Sequence, residues 1–212
     1  MNSKKSRPEG NDLTNDSPIE EHVQPNESKV KVKIDTTDTR PANGTPDAIL
    51  PTASSMTSNL EQEIINMIVS AYGNMIEVVY VRPSRMKIRV PPQDIVRVAT
   101  FIKENFSFDH AESVAGTDYP KENQIEIVYH LSSYTDENIV PKILALSSRV
   151  NRDEPRIPSL INVFKSVEYH ERETYEMVGV YFEGHPRMER FLLPEDWADI
   201  PPLRKDFRIK GR

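Results

Sequence analysis

Apolar residues begin to recur at helical spacing at Leu60, and Leu60, Ile64, Met67, Ile68 and Ala71 fall on one face of a helix. Ser58 with Glu61 three residues on has the form of a capping box, and Gly73 is placed to end the helix. The period then changes to two. Ile76 to Val81 reads as a strand, Pro83-Ser84 as a turn, and Met86, Ile88 and Val90 as inward positions of a second strand, so a hairpin is expected. After Pro91-Pro92, a start compatible with proline, Ile95, Val98, Ala99 and Ile102 predict a second amphipathic helix ending near Asn105. Ala111 to Tyr119 and Gln124 to Ser132 again read as extended, with Ile125, Ile127, Tyr129 and Leu131 alternating against Gln124, Glu126, Val128 and His130. Pro120 to Asn123 supplies the turn between them, and Ile143 to Ser147 one more strand. This order predicts an α+β fold: a small antiparallel-rich sheet with helices on one face.

Arg152 to Pro158 reads as a polar connector, Ser159 as the cap of a short helical segment carrying Leu160, Val163 and Phe164, and Ser166 to Met177 as a further helix. Beyond Gly179 the prolines at 186, 194, 201 and 202 prevent long regular elements. Phe182, Phe191, Leu192, Leu193, Trp197, Leu203 and Phe207 are spread along this extended, proline-rich C-terminal arm, and burying them requires another surface, in the same chain or a partner. The expected organisation is a disordered tail over 1–58, an α+β domain over 59–158, and a helix with a docking arm over 159–212.

Composition changes the picture mainly at the front. Met1 to Ser58 contains no Phe, Trp or Tyr, and the apolar fraction of 37% with a mean hydropathy of −0.59 fits a chain partly outside any core. Lys4, Lys5 and Arg7 are not followed by an apolar run, and Glu9, Asp12, Asp16, Glu20 and Glu21 argue against a transit peptide. The apolar stretches Ile64 to Ala71 and Met75 to Val81 are well short of the roughly 20 residues that cross a bilayer. The sequence has no cysteine, which removes disulfides and the thiolates that iron–sulfur clusters use. His22, His110, His130, His170 and His185 lack the short paired spacing of a metal site, and the zincin-like opening His170-Glu171 meets Thr174 where a second ligand is needed. No phosphate loop, dinucleotide turn or nucleophile triad is assembled. A net charge of −6 and no nucleic-acid fold signature argue against DNA or RNA, although Arg204, Lys205, Arg208, Lys210 and Arg212 make the end of the chain basic.

Within the last helix, Glu168, Arg172 and Glu176 are spaced four apart and predict an ion ladder, worth only about 0.2–0.5 kcal/mol per pair on a solvated face. Glu171 and Glu173 point to nearly opposite sides of that helix and cannot act on one reacting atom. Tyr169, Tyr175 and Trp197 are explained as interface aromatics at least as well as by an aromatic-lined ligand pocket, and Gly184-His185-Pro186 as a turn.

Taken in order, Glu171-Arg172-Glu173, Met177, Gly179, Phe182, Gly184-His185-Pro186, Arg190, Leu192-Leu193-Pro194, Asp196-Trp197 and Pro202-Leu203-Arg204-Lys205-Asp206-Phe207 resemble the signature of the 30 kDa subunit of complex I-type NADH:quinone oxidoreductases. The chain departs from that pattern at Glu176, usually Asp, at Val178, usually aromatic, and in the longer spacing after Trp197. The signature covers the last fifth of the chain; residues from about Leu60 to Pro158 fit in pattern and order. The resemblance implies a structural subunit of the peripheral arm with no cofactor of its own. It would hold the large subunit that helps form the quinone site and the neighbouring iron–sulfur subunits, and touch the cell membrane only indirectly, on its cytoplasmic side. NADH oxidation, electron transfer to quinone and proton translocation would then occur on other chains. Glu171, Arg172, Glu173, His185, Arg190, Trp197, Arg204, Lys205 and Asp206 are the implied interface residues, Arg172 through forked contacts to carboxylates. Complexes fed by a reduced deazaflavin or ferredoxin, and membrane-bound hydrogenases, share this type of subunit. A free-standing α+β adaptor is the second reading, suggested by the long polar front.

Overall fold

The structure, a computed structural model, describes residues 54–197 and 201–208. Helix α1 (Ser54–Tyr72) buries Ile64, Ile65 and Ile68 and ends where Gly73 takes φ +58°. It begins four residues before the expected start, so the capping box is not its N-terminus; the rest of the expected tail, 1–53, lies outside the described residues. Glu61 instead faces inward with no exposed surface, and its Oε1 accepts from the Ser84 backbone N–H at 2.9 Å and Lys142 Nζ at 3.0 Å. A charge-assisted bond and a turn N–H offer a buried carboxylate more than a cap would.

Strands β1 (Glu77–Arg82) and β2 (Arg85–Arg89) form the expected hairpin, turned by Ser84 at φ +60°. Helix α2 (Ile95–Phe106) buries Ile95, Val98, Ala99, Ile102 and Phe106 and stops at Ser107 in the left-handed region. Strands β3 (His110–Tyr119) and β4 (Gln124–Ser132) pair antiparallel across a turn in which Asn123 takes φ +50°. Strand β5 (Ile143–Asn151) fills the centre, parallel to β2 and antiparallel to β4, giving the order β1-β2-β5-β4-β3.

Register explains which face is buried. Ile88, Leu146, Tyr129 and Val114 lie in one row across four strands and join α1 and α2 in a single core. The opposite face carries Lys87, Arg89, Glu126 and Arg149, with Lys87 Nζ 3.0 Å and Arg89 Nη2 3.3 Å from Glu126. The alternation expected in β4 therefore holds in direction, but Glu126 and Val128 are buried as well, because β4 is flanked by strands on both sides and long side chains from its neighbours lie over it.

The stretch 152–158 differs from its reading as a connector. Its end forms β6 (Arg156–Pro158), which pairs in parallel with β7 (Tyr181–Glu183) after helix α3 (Val167–Val178). Ile157 and Phe182 are fully buried and join Leu160, Phe164 and Val180 in the same core as the sheet, so the boundary expected after Pro158 is bridged. The short helix expected after Ser159 is a turn, with the N–H groups of Val163 and Phe164 both reaching Leu160 O.

Candidate docking site

The signature residues gather around α3, and each of its sides has a distinct task. One side rests on β3: Thr174 Oγ1 donates to Val114 O at 3.2 Å, and a Cβ on Gly116 would meet Val178 Cγ2 at 2.9 Å. Only glycine lets the helix approach so closely.

The inward side carries Glu171, fully buried, which accepts from Tyr129 Oη at 2.9 Å, Ser159 Oγ at 2.5 Å and the Leu160 N–H at 2.9 Å. Burial pushes its carboxyl above the ordinary value although all three donors pull the other way. Glu171 thus ties α3 to β4 and to the turn after β6 and is not on a surface.

The third side receives the C-terminal arm. Glu176 accepts the backbone N–H groups of Phe191, Leu192 and Leu193 at 2.9, 2.9 and 2.6 Å, and Arg190 Nε lies 3.5 Å from its Oε1. Burial alone would raise this carboxyl, but the three N–H groups and the guanidinium outweigh it and hold it low. The last carbonyls of α3, which no helical N–H can reach, are met by the arm: Leu203 N–H donates to Met177 O at 2.9 Å and Arg204 Nε to Val178 O at 2.8 Å. A cation there also complements the helix dipole. Gly179, at φ +83°, closes the helix, and a Cβ on it would meet Pro201 Cγ at 2.8 Å and Arg204 Nη2 at 3.1 Å. Farther along, Asp118 of β3 takes both Arg152 Nε (2.7 Å) and Nη2 (3.2 Å) and the Lys205 N–H (2.9 Å), while Arg152 Nη2 also reaches Asp206 at 2.8 Å.

The remaining expected residues fall as follows. His185 Nδ1 accepts the Arg187 N–H at 3.1 Å, so its proton sits on Nε2, which donates to Glu168 O at 3.1 Å. Arg190 Nη2 donates to Trp197 O at 3.2 Å, and Trp197, 39% exposed, stacks on Phe207 with ring centres 5.8 Å apart. Glu173 is exposed. The expected Glu168–Arg172–Glu176 ladder does not form: Arg172 Nε donates to Glu189 O at 3.0 Å and its guanidinium lies over the rings of Tyr169 and Phe191. Glu176 has stronger donors in the arm, so the helical pairing loses. Tyr175 and Trp197 share a shallow depression with Glu176, Gly179, Arg190 and Pro201, which Tyr169 does not line. Asp118 and Arg152 carry no sequence signal as part of the site; their pairing depends on β3 and β5 flanking β4, so that Asp118 and the residue just beyond the end of β5 reach each other across it. Around these anchors Tyr169, Phe191, Leu192, Trp197 and Leu203 remain exposed, a set of large apolar side chains of the kind that marks a docking surface. No helix among the described residues is long and apolar enough to cross a membrane.

Residues 88–212, which contain the whole site, match the family described as the respiratory-chain NADH dehydrogenase 30 Kd subunit. A subunit of the F(420)H(2) dehydrogenase of Methanosarcina mazei is 38% identical over 125 residues, 59% of this chain and 77% of that one. A subunit of the NADH-quinone oxidoreductase of a Roseiflexus species is 41% identical over 124 residues, 57% of this chain and 68% of that one. Among solved structures, a chain of the membrane-bound sulfane sulfur reductase, an archaeal respiratory membrane complex, superposes with a TM-score of 0.62 at 30% identity, covering 70% of this chain and 86% of that chain. A trypsin-resistant fragment of Nqo5 shares the fold at a TM-score of 0.52 and 22% identity, covering 60% of this chain and 98% of that fragment.

Proposed function

Because this chain belongs to the family of the respiratory-chain NADH dehydrogenase 30 kDa subunit, and is thereby that subunit of a complex I-type oxidoreductase, we propose that it works by geometry, as a brace within the peripheral arm of the complex. The observation that carries this is the arm itself. Three backbone N–H groups on Glu176, two α3 carbonyls and the Asp118–Arg152–Asp206 cluster hold residues 191–193 and 203–206 against their own domain, while Phe191, Leu192, Trp197 and Leu203 face outward. A hydrophobic set held in place before a partner arrives binds without a large ordering cost.

The partners that suit this surface are the large subunit that helps form the quinone site and the adjoining iron–sulfur subunits. In this reading the chain fixes distances between clusters and quinone, and redox cofactors are held elsewhere; the absence of cysteine from the sequence supports that division of labour. It sits on the cytoplasmic side of the cell membrane through those partners. NADH is the donor we favour. A complex fed by a reduced deazaflavin is the second reading, supported by the 38% identity to the F(420)H(2) dehydrogenase subunit. The test of the brace is purification from native membranes by a tag on this chain: hydrophobic and iron–sulfur-bearing companions are expected, and recovery of a lone chain contradicts it. Whether the recovered complex carries a flavin-bearing NADH module decides between the donors.

A further inference from the structure

Among the described residues no carboxylate pairs with Arg172, and we propose that it is the receptor for an acidic side chain of a neighbouring subunit, an inference that rests on the docking role of the arm. The glutamate one turn on, Glu176, is committed to the N–H groups of residues 191–193 and to Arg190. One turn back, Glu168 is tied through its carbonyl to His185, and its side chain does not pair with Arg172. The guanidinium uses Nε alone, toward Glu189 O at 3.0 Å; among the described residues its two terminal nitrogens donate to nothing and no carboxylate lies within ion-pair reach.

The setting of this cation resembles a socket. Its carbon lies 4.6 Å from the Phe191 ring centre and 5.6 Å from that of Tyr169, and the two rings meet edge to face at 5.8 Å. Arg172 keeps 3% of its surface, whereas Tyr169, Leu192 and Phe191 keep 57%, 49% and 43%. A recessed planar fork at the base of an exposed apolar rim holds one carboxylate in a fixed orientation, a contact a lysine cannot copy. Arginine with aromatic neighbours, shielded from water by its rim, is also the composition of binding hot spots. Glu173 is exposed on the same helix, and Glu189 follows in the loop. These acids oppose a doubly charged phosphate or an anionic bilayer, while the fork still accommodates a single carboxylate.

The test uses the full-length chain, alone and in the assembled complex. Arg172→Met keeps a side chain long enough to lie between the rings and removes the charge; Arg172→Lys keeps the charge and removes the fork. In the isolated chain the melting temperature of Arg172→Met is expected to equal or exceed that of the unaltered protein, since an unpaired recessed cation is gone. A clear fall would assign Arg172 to the fold and overturn the proposal. In the complex, recovery of both variants with their companions is expected to drop at least about 30-fold, the effect of truncating one partner of a desolvated charge pair. Recovery equal to the unaltered chain overturns it. A photo-crosslinker at position 169 then identifies the contacted segment. An Asp- or Glu-bearing peptide from another chain of the complex, whose acid when exchanged to Arg restores assembly with Arg172→Glu, supports the assignment; a lipid adduct or a peptide without an acid refutes it. If the unaltered chain joins no complex at all, the docking reading itself fails, and this inference with it.

Discussion

Replacing Glu176 by Gln tests the anchoring of the arm with the smallest change in shape. The carboxylate accepts three backbone N–H groups at 2.6–2.9 Å, and the carboxamide keeps one oxygen while turning N–H donors toward the others. Hydrogen bonds to a charged group contribute about 1.5–3 kcal/mol each. Here three share one carboxylate, and the N–H groups are only part-buried, so water replaces some of what is lost. A net weakening of about 3 kcal/mol is therefore expected, equivalent to about 100-fold more frequent detachment of this part of the arm. Hydrogen exchange on the full-length chain reads this directly. The amides of Phe191, Leu192 and Leu193 are expected to exchange about 100-fold faster in Glu176→Gln, while amides of Ile127 and Leu146 in the central strands keep their rates. Unchanged exchange at 191–193 would show that Glu176 does not hold the arm, and acceleration across β4 and β5 would show that its role is global stability instead.

Acid should separate the arm from the core. Burial pushes Asp118 up, but Arg152 and the Lys205 N–H hold it below its ordinary 3.8, and Arg152 also lowers Asp206, so these carboxylates, with Glu176, favour docking above about pH 4 and lose that effect as pH falls through their lower docked values. Glu171 has the opposite sign. Its raised value means that its stabilising share is complete below the ordinary 4.5 and fades as pH climbs through the raised one, so the core should melt higher at pH 5 than at pH 8, and Glu171→Gln should remove that slope in a melting series. Glu171→Ala strands Tyr129 Oη and the Leu160 N–H and is expected to cost about 2–4 kcal/mol in chemical denaturation, whereas a loss under about 1 kcal/mol would mean water enters the cluster. Gly179→Ala places a Cβ 2.8 Å from Pro201 in a left-handed position; accelerated exchange of the Leu203 and Lys205 amides with an unchanged core is the expected result, and an unaltered arm would argue against close contact at this glycine.

Much of the fold is legible in the sequence because its elements are local. The helices and hairpins carry their own periodicity and turn residues, as Ile95, Val98, Ala99 and Ile102 do for α2 and Asn123 for the β3–β4 turn. What is not legible depends on distant partners. Nothing local to Ile157 or Phe182 reveals their parallel pairing, and three residues bounded by proline look like a connector until the second strand is placed beside them. Glu61 fits a capping box by spacing, yet its role follows from Lys142, far along the chain. The signature residues Glu171, Arg172, His185, Arg190, Trp197, Arg204, Lys205 and Asp206 all lie on α3 or the arm, a clustering the sequence already places at the end of the chain. It does not reveal their division of labour: Glu171 turns inward, Arg172 is recessed between two rings, and the anchors Asp118 and Arg152 come from β3 and from just beyond β5.

The central claim, that the arm joins this chain to its complex, is tested most directly by deleting Arg190 to Arg212 in the native host and measuring how much of the tagged chain is recovered with its companions. The core residues run from Ile64 to Phe182, so the truncated chain is expected to stay folded. Loss of the companions from a folded, soluble domain is the predicted result; recovery at the level of the full-length chain would contradict the account.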